Sequence, residues 1–164
     1  MTREVALDSI AEKVNACLPP DIQVFAAGPQ KMDQKEIAWA DYEMVLAGEE
    51  GFEQKLEEYL NRSQINVIKK TKKGERELDL KPLIYDFTIS EVCNSCGDSG
   101  IIFSLLVSTG STDNIKPELV LDHFFRSMGK TDLGRYDFFI HREDMLTGQA
   151  PDFVSLGEIG HDKE

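Results

Sequence analysis

Basic residues, cysteines and long apolar runs are all scarce in this chain, and each shortage closes off a class of protein. Lysine and arginine number 18 against 30 aspartate and glutamate, which leaves a formal charge of −12 over 164 residues. Proteins that hold nucleic acid along a broad surface draw affinity from phosphate neutralisation, so this composition does not suit that mode. No apolar run reaches the roughly 18 residues that mark a membrane-spanning helix, so no membrane segment is expected. Three cysteines, an odd number, argue against a disulfide framework. The opening stretch MTREVALDSIAEK lacks a basic segment followed by an apolar run. It does not read as a secretory leader, and the cytoplasm is the expected location. What is present is enough chain for a real core without covalent staples, since a domain of about 150 residues buries roughly 70% of its unfolded surface.

The apolar residues fall into helix and strand periods. Leu7, Ile10, Ala11, Val14, Cys17 and Leu18 recur at three- and four-residue steps and predict an amphipathic helix, stopped by Pro19 and Pro20. IQVFAA, Ile22 to Ala27, predicts a strand, followed by a polar loop to Glu36. In AWADYEMVLA the alternation puts Ala40, Tyr42, Met44 and Leu46 on a core face, with Trp39, Asp41, Glu43 and Val45 opposite. Phe52, Leu56, Tyr59 and Leu60 predict a second helix. INVIKKT and RELDL flank Gly74 and predict a hairpin arm, with Pro82 at its base as an edge or bulge residue. LIYDFTI and the apolar run from Gly100 to Ser108 add two strands. Pro117 opens a helix that Gly129 closes, and YDFFIHR is the last strand. From Thr147 the chain turns polar and reads as a loose tail.

From Ala38 to Arg142 the order is strand, helix, strands, strand, helix, strand. That is an α+β, ferredoxin-like antiparallel sheet with two helices on one face and an extra β-hairpin arm. Residues 1–36 read as a helix–strand remnant of a second, similar unit, 37–146 as the ferredoxin-like domain, and 147–164 as the flexible tail.

Charge is concentrated in one place. Lys69, Lys70, Lys72, Lys73, Arg76 and Lys81 face only Glu75, Glu77 and Asp79 within the arm. The arm is thus +3 and the rest of the chain −15, against −12 overall. A solvated hairpin tip uses such charge to discourage edge pairing. The functional alternative is contact with an anion, either RNA or an acidic protein surface. Tyr85 and Phe87 follow the arm and read as core, so base-stacking recognition of single strands is not supported.

The turn STGSTDNIKPE brings Ser111, Asn114 and Lys116 to the start of a helix, where free backbone N–H groups suit an anion. Its simpler role is a self-capped connection, and it lacks the order of a P-loop. CNSC, Cys93 to Cys96, supplies half of a tetrahedral metal site. Cys17, His123 and His141 show no companion spacing, so no metal and no cofactor are expected, and an ordinary hairpin loop is the simpler account. His141 and Arg142 close the last predicted strand. There they are either surface polar residues or a base and anion ligand beside Asp144.

Several segments together, LPPDIQVFAA, ADYEMVL, INVIKKTKKGERELDLKPLI, STGSTDNIKPELVL and FFIHREDM, resemble the radical SAM-linked protein family of bacteria, a family of unknown function. The resemblance runs from about Val5 to Met145. Its most specific pieces are the Lys-Lys-Gly hairpin with Asp79, Lys81, Pro82, Leu83 and Ile84, and the turn with Gly110, Ser111, Asn114, Lys116, Pro117 and Glu118. Members of that family are encoded beside, or fused to, an uncharacterised radical SAM protein, and often near a ribonuclease of the E/G type. They begin with a further half-domain carrying Ser-His-Leu-Asp and Gly-Phe-Asn-Pro-His segments, neither of which occurs here. The resemblance therefore implies a C-terminal part: a split protein, a truncated gene product, or a piece that pairs with another chain or with itself.

Three function classes follow. The leading one is a non-catalytic accessory module that docks on, or presents substrate to, a radical SAM partner in RNA-related metabolism. The chain lacks the three-cysteine cluster motif of radical SAM enzymes, so it is not itself the radical generator. The second is direct RNA binding through Lys70, Lys72, Lys73, Arg76, Lys81 and Lys116. The third is an enzyme on a small anionic substrate, built on the Ser111–Lys116 turn with His141 or Arg142.

Overall fold

In a computed structural model of the chain, residues 7–25, 27, 32–47, 51–71, 74–93, 99–110, 113–133 and 135–160 are described. They fall in two compact units, Gln34–Leu156 and Met1–Asp33 with Gly157–Glu164.

The larger unit is organised by β1 (Ile37–Ala47). Its period-2 alternation is realised as expected, with Ala40, Met44 and Leu46 buried on one face. Around it stand β4 (Ile84–Cys93), β5 (Ser99–Ser108), β6 (Phe138–Gln149) and β7 (Asp152–Ser155). The five-stranded sheet has the order β4-β5-β1-β6-β7, and every pairing is antiparallel. β1 and β4 thus run parallel with β5 between them, and β5 and β6 run parallel with β1 between them. Each of these crossovers carries a helix, α2 (Glu53–Leu60) or α3 (Pro117–Ser127). The result is a mixed α+β unit. β2 (Asn66–Thr71) and β3 (Gly74–Asp79) form a separate two-stranded sheet, the arm.

Both helices bury the stripe that their periodicity predicts. Leu56 and Tyr59 of α2 meet Val120, Leu121, Phe124 and Phe125 of α3 in one core cluster with Phe52, Phe87 and Phe103. Phe124 sits at its centre, with ring centroids of Tyr59 at 5.2 Å, Phe125 at 5.2 Å and Phe87 at 5.8 Å. Such tilted and edge-to-face pairs add stability beyond the roughly 2–3 kcal/mol of burying one large apolar side chain. Pro117 occupies the first position of α3, and Gly129 follows it with φ 79°. These are the residues for a helix start and a left-handed stop.

Two sequence expectations fail in instructive ways. The chain expected to run loose from Thr147 instead continues β6 to Gln149 and returns as β7, with Gln149 opposite Asp152. Phe153 explains this. Its ring lies 5.9 Å from Trp39 and 4.8 Å from Tyr85, long-range contacts that a polar local composition conceals. Tyr85, expected in the core, belongs to this same cluster and is 47% exposed. The register shift between Ile84 and Asp86 is the kind of irregularity that re-aims a side chain at a strand start.

The smaller unit holds α1 (Leu7–Asn15). Residues 22–25, expected as a strand, form none. The Asn15 side chain takes their place in the ladder: Val24 N–H donates to Asn15 Oδ1 at 2.7 Å, and Asn15 Nδ2 donates to Val24 O at 2.9 Å. A local side-chain partner thus satisfies the backbone that a neighbouring strand would otherwise pair. Phe25 is left 92% exposed. α4 (Leu156–Gly160) follows β7. No described helix is long and apolar enough to cross a membrane.

Candidate functional site

The arm and the turn before α3, adjacent in expectation only by their charge, are adjacent in space. Within the arm Lys69 pairs across the ladder with Arg76 and Lys70 with Glu75. Two like charges directly opposite are destabilising. The turn supplies the compensation. Lys69 Nζ donates to the Asn114 carbonyl at 2.6 Å, and Arg76 lies 3.7 Å from the Asp113 carboxylate. Lys70 is exposed, 4.0 Å from Glu75, a pairing weak enough to leave its charge available.

The residues at the base of the arm are structural. Asp79 Oδ1 accepts from the N–H groups of Ile65 at 2.8 Å and Lys81 at 3.0 Å, while Leu80 N–H donates to Ile65 O at 2.8 Å. Lys81 Nζ donates to Leu60 O, a cation on the negative end of α2. Lys81 therefore ties the arm to α2 and does not stand among the outward cations.

The turn is built on Gly110. Its φ is +123°, and a Cβ there would lie 2.8 Å from the Ile37 carbonyl oxygen, so only glycine fits. Thr109 N–H donates to Ala38 O at 2.8 Å, Ile115 N–H to Ser108 O at 3.0 Å, and Thr109 Oγ1 to Asn114 Oδ1 at 3.3 Å. The Asn114 side chain is thus spent on the turn itself. Lys116 is exposed at the N-cap of α3. Pro117 has no N–H to offer and Glu118 places a carboxylate in the first turn, both of which weaken an anion cradle there. Lys72, Lys73 and Ser111 lie outside the described residues, as do Cys96 and the side chain of Cys93.

His141 and Arg142 are not at a strand end, because β6 runs on to Gln149. They face Glu43 and Tyr42 of β1, whereas the turn joins β5 at Ser108, opposite Trp39. The separation along β1 is four residues for His141 and three for Arg142, about 13 and 10 Å at the rise of an extended strand. His141 and Arg142 therefore do not share a site with Lys116. The His141 imidazole is 3.6 Å from Glu143, both exposed, a surface pair of small energetic weight.

Three groupings escape sequence reasoning. The first is Tyr59 and His123, whose hydroxyl and Nδ1 are 3.0 Å apart across α2 and α3. Burial raises the phenol pKa, and burial, with Arg62 and Arg126 nearby, lowers that of the imidazole. Both shifts keep the pair neutral. The second is on the outward sheet face. Asp41 has a raised pKa, chiefly from burial and further from Glu143, Glu43 and Asp144, while Val45, Tyr85 and Phe139 are exposed on the same sheet. The third is a concavity of about 470 Å³ where Lys55, Arg62 and Lys130 gather with Glu58 beside α2 and α3. Alternation in β1 marks Trp39, Asp41 and Glu43 as outward, but the partners on β6 and β7 require the tertiary pairing. Among the described residues no three His, Cys, Asp or Glu side chains group as a metal site.

No curated protein and no solved structure matches the chain. Residues 1–117 match the model of a family described as uncharacterized protein conserved in bacteria (DUF2344), and with this match over more than half its length the chain belongs to that family.

Proposed function

We propose that the chain is a non-catalytic accessory module that docks on a partner protein, the partner being a radical SAM protein in RNA-related metabolism, in the cytoplasm. The proposal takes the sheet as ferredoxin-like, on the grounds of its two split crossovers. The observation that carries docking is the outward sheet face. Val45, Tyr85 and Phe139 are exposed there beside Asp41, Glu43 and Asp144. Apolar groups left in water on one face favour a protein partner, and the carboxylates among them repel a phosphate backbone. The partner's identity rests on the sequence resemblance alone. Native co-purification of the chain with the radical SAM protein encoded beside it tests the proposal. Stoichiometric association is expected, and its absence at low and moderate salt would sink it.

A second function, RNA binding, is favoured by the joining of arm and turn into one surface bearing Lys70 and Lys116. It requires weak binding that falls with salt. Reversing Lys70, Lys72 and Lys73 to glutamate should abolish it, and unchanged binding would dismiss the arm.

A further inference from the structure

β4 is an outer strand of the sheet and pairs with β5 on one side. The opposite outer strand, β7, has 4 residues, whereas β4 has 10. Proteins protect outer strands by keeping them short or by placing lysine or proline on them. β4 does neither, since IYDFTISEVC contains no lysine, arginine or proline. From Asp86 onward its register with β5 advances one residue at a time, so its outward N–H and C=O groups form a regular template.

Beside this edge α2 presents Glu53, Leu56, Glu57, Leu60 and Asn61, one helical face. With Phe87, Thr88 and Ile89 they enclose a groove of about 430 Å³. Its floor is apolar: Leu56 and Phe87 are core residues, and Leu60 and Ile89 pack against that core. Its rim is anionic, with Glu53 and Glu57 exposed. Side chains of an added strand would alternate between the groove and the outward sheet face.

We infer that this edge and groove receive an extended segment of the partner protein by strand addition, its groove-facing side chains combining apolar residues over Leu56 and Phe87 with lysines or arginines that meet Glu53 and Glu57. The inference rests on the docking proposal above and assigns it a surface and a chemistry. Backbone pairing supplies affinity, and the charge pattern selects a basic segment over an acidic one.

The test uses the full chain and a fluorescein-labelled Lys-Ser-Val-Ser-Val-Ser-Lys peptide, whose lysines and valines share one face of the strand, followed by fluorescence anisotropy. Saturable binding is expected, with slower hydrogen exchange at Phe87–Ser90. Glu53→Lys with Glu57→Lys should weaken it about tenfold or more, and both positions are exposed, so folding is spared. The fully N-methylated peptide and Lys-Ser-Ser-Ser-Ser-Ser-Lys should fail to bind. Equal binding by either would reduce the effect to charge attraction and overturn strand addition, as would no binding at all. Co-purification separates this inference from its parent. A partner retained by the doubly reversed chain overturns the groove and spares docking, whereas a partner absent from the unmodified chain overturns docking.

Discussion

Asp79 offers the sharpest test of what the basic segment is for. It lies in the stretch most specific to the family resemblance, yet its carboxylate faces the backbone of its own chain. One oxygen accepts two N–H groups, from Ile65 at 2.8 Å and Lys81 at 3.0 Å, in a part-buried setting. Hydrogen bonds to a charged acceptor contribute about 1.5–3 kcal/mol each when well buried. Water replaces part of that here, so about 1 kcal/mol for each is a fair figure, and Asp79→Ala should cost about 2 kcal/mol. With an unfolding entropy of about 2.1 cal/mol/K per residue and a unit of roughly 120 residues, this lowers the Tm by about 8 °C. Asp79→Asn keeps a neutral acceptor and should lose about half as much. Lys70→Glu, on the exposed side of the arm, should stay within about 0.5 kcal/mol of the parent. Differential scanning calorimetry measures all three. If Asp79→Ala melts within about 2 °C of the parent, or no lower than Lys70→Glu, the segment is not a structural tie and the assignment of Asp79 fails.

His123 predicts a pH dependence. Its folded pKa is lowered from 6.5, so in this window the unfolded chain binds the proton more readily. Stability from His123 is complete above about pH 6.5 and is lost as pH falls through the lower folded value. Urea titrations from pH 5 to 7 should show that loss in the parent and a flatter profile in His123→Gln; parallel profiles would remove His123 as the cause. Gly110→Ala meets both a φ of +123° and the Ile37 carbonyl oxygen, whereas Gly74→Ala meets φ +128° in open space. Chemical denaturation should show a cost of about 2–3 kcal/mol at Gly110 and about 1 kcal/mol at Gly74, and equal costs would discount the contact.

Much of the fold was legible because apolar period is a local property. Alternation in β1 identified Ala40, Met44 and Leu46, helical spacing identified Leu56 and Tyr59 in α2, and the apolar run gave β5. Each states which side of an element must leave water, and it can be read without knowing the neighbour. The arm was legible for the same reason, although Gly74, expected at its tip, opens β3 opposite Thr71.

What the tertiary structure decided is which elements meet. IQVFAA carries a strand composition, yet a strand exists only where another backbone completes its hydrogen bonds, and Asn15 satisfies Val24 first. The stretch after Thr147 carries a loop composition, yet Phe153 reaches Trp39 and Tyr85 and turns it into β7. The candidate sites follow the same division. Lys70 and Arg76 were visible as charge, but the hold of Asn114 and Asp113 on the arm, the spending of Lys81 on Leu60, and the groove between α2 and an unprotected β4 depend on contacts between residues distant in sequence. Sequence period sets the apolar face of each element, and long-range packing alone sets what that face, or the edge beside it, is offered to.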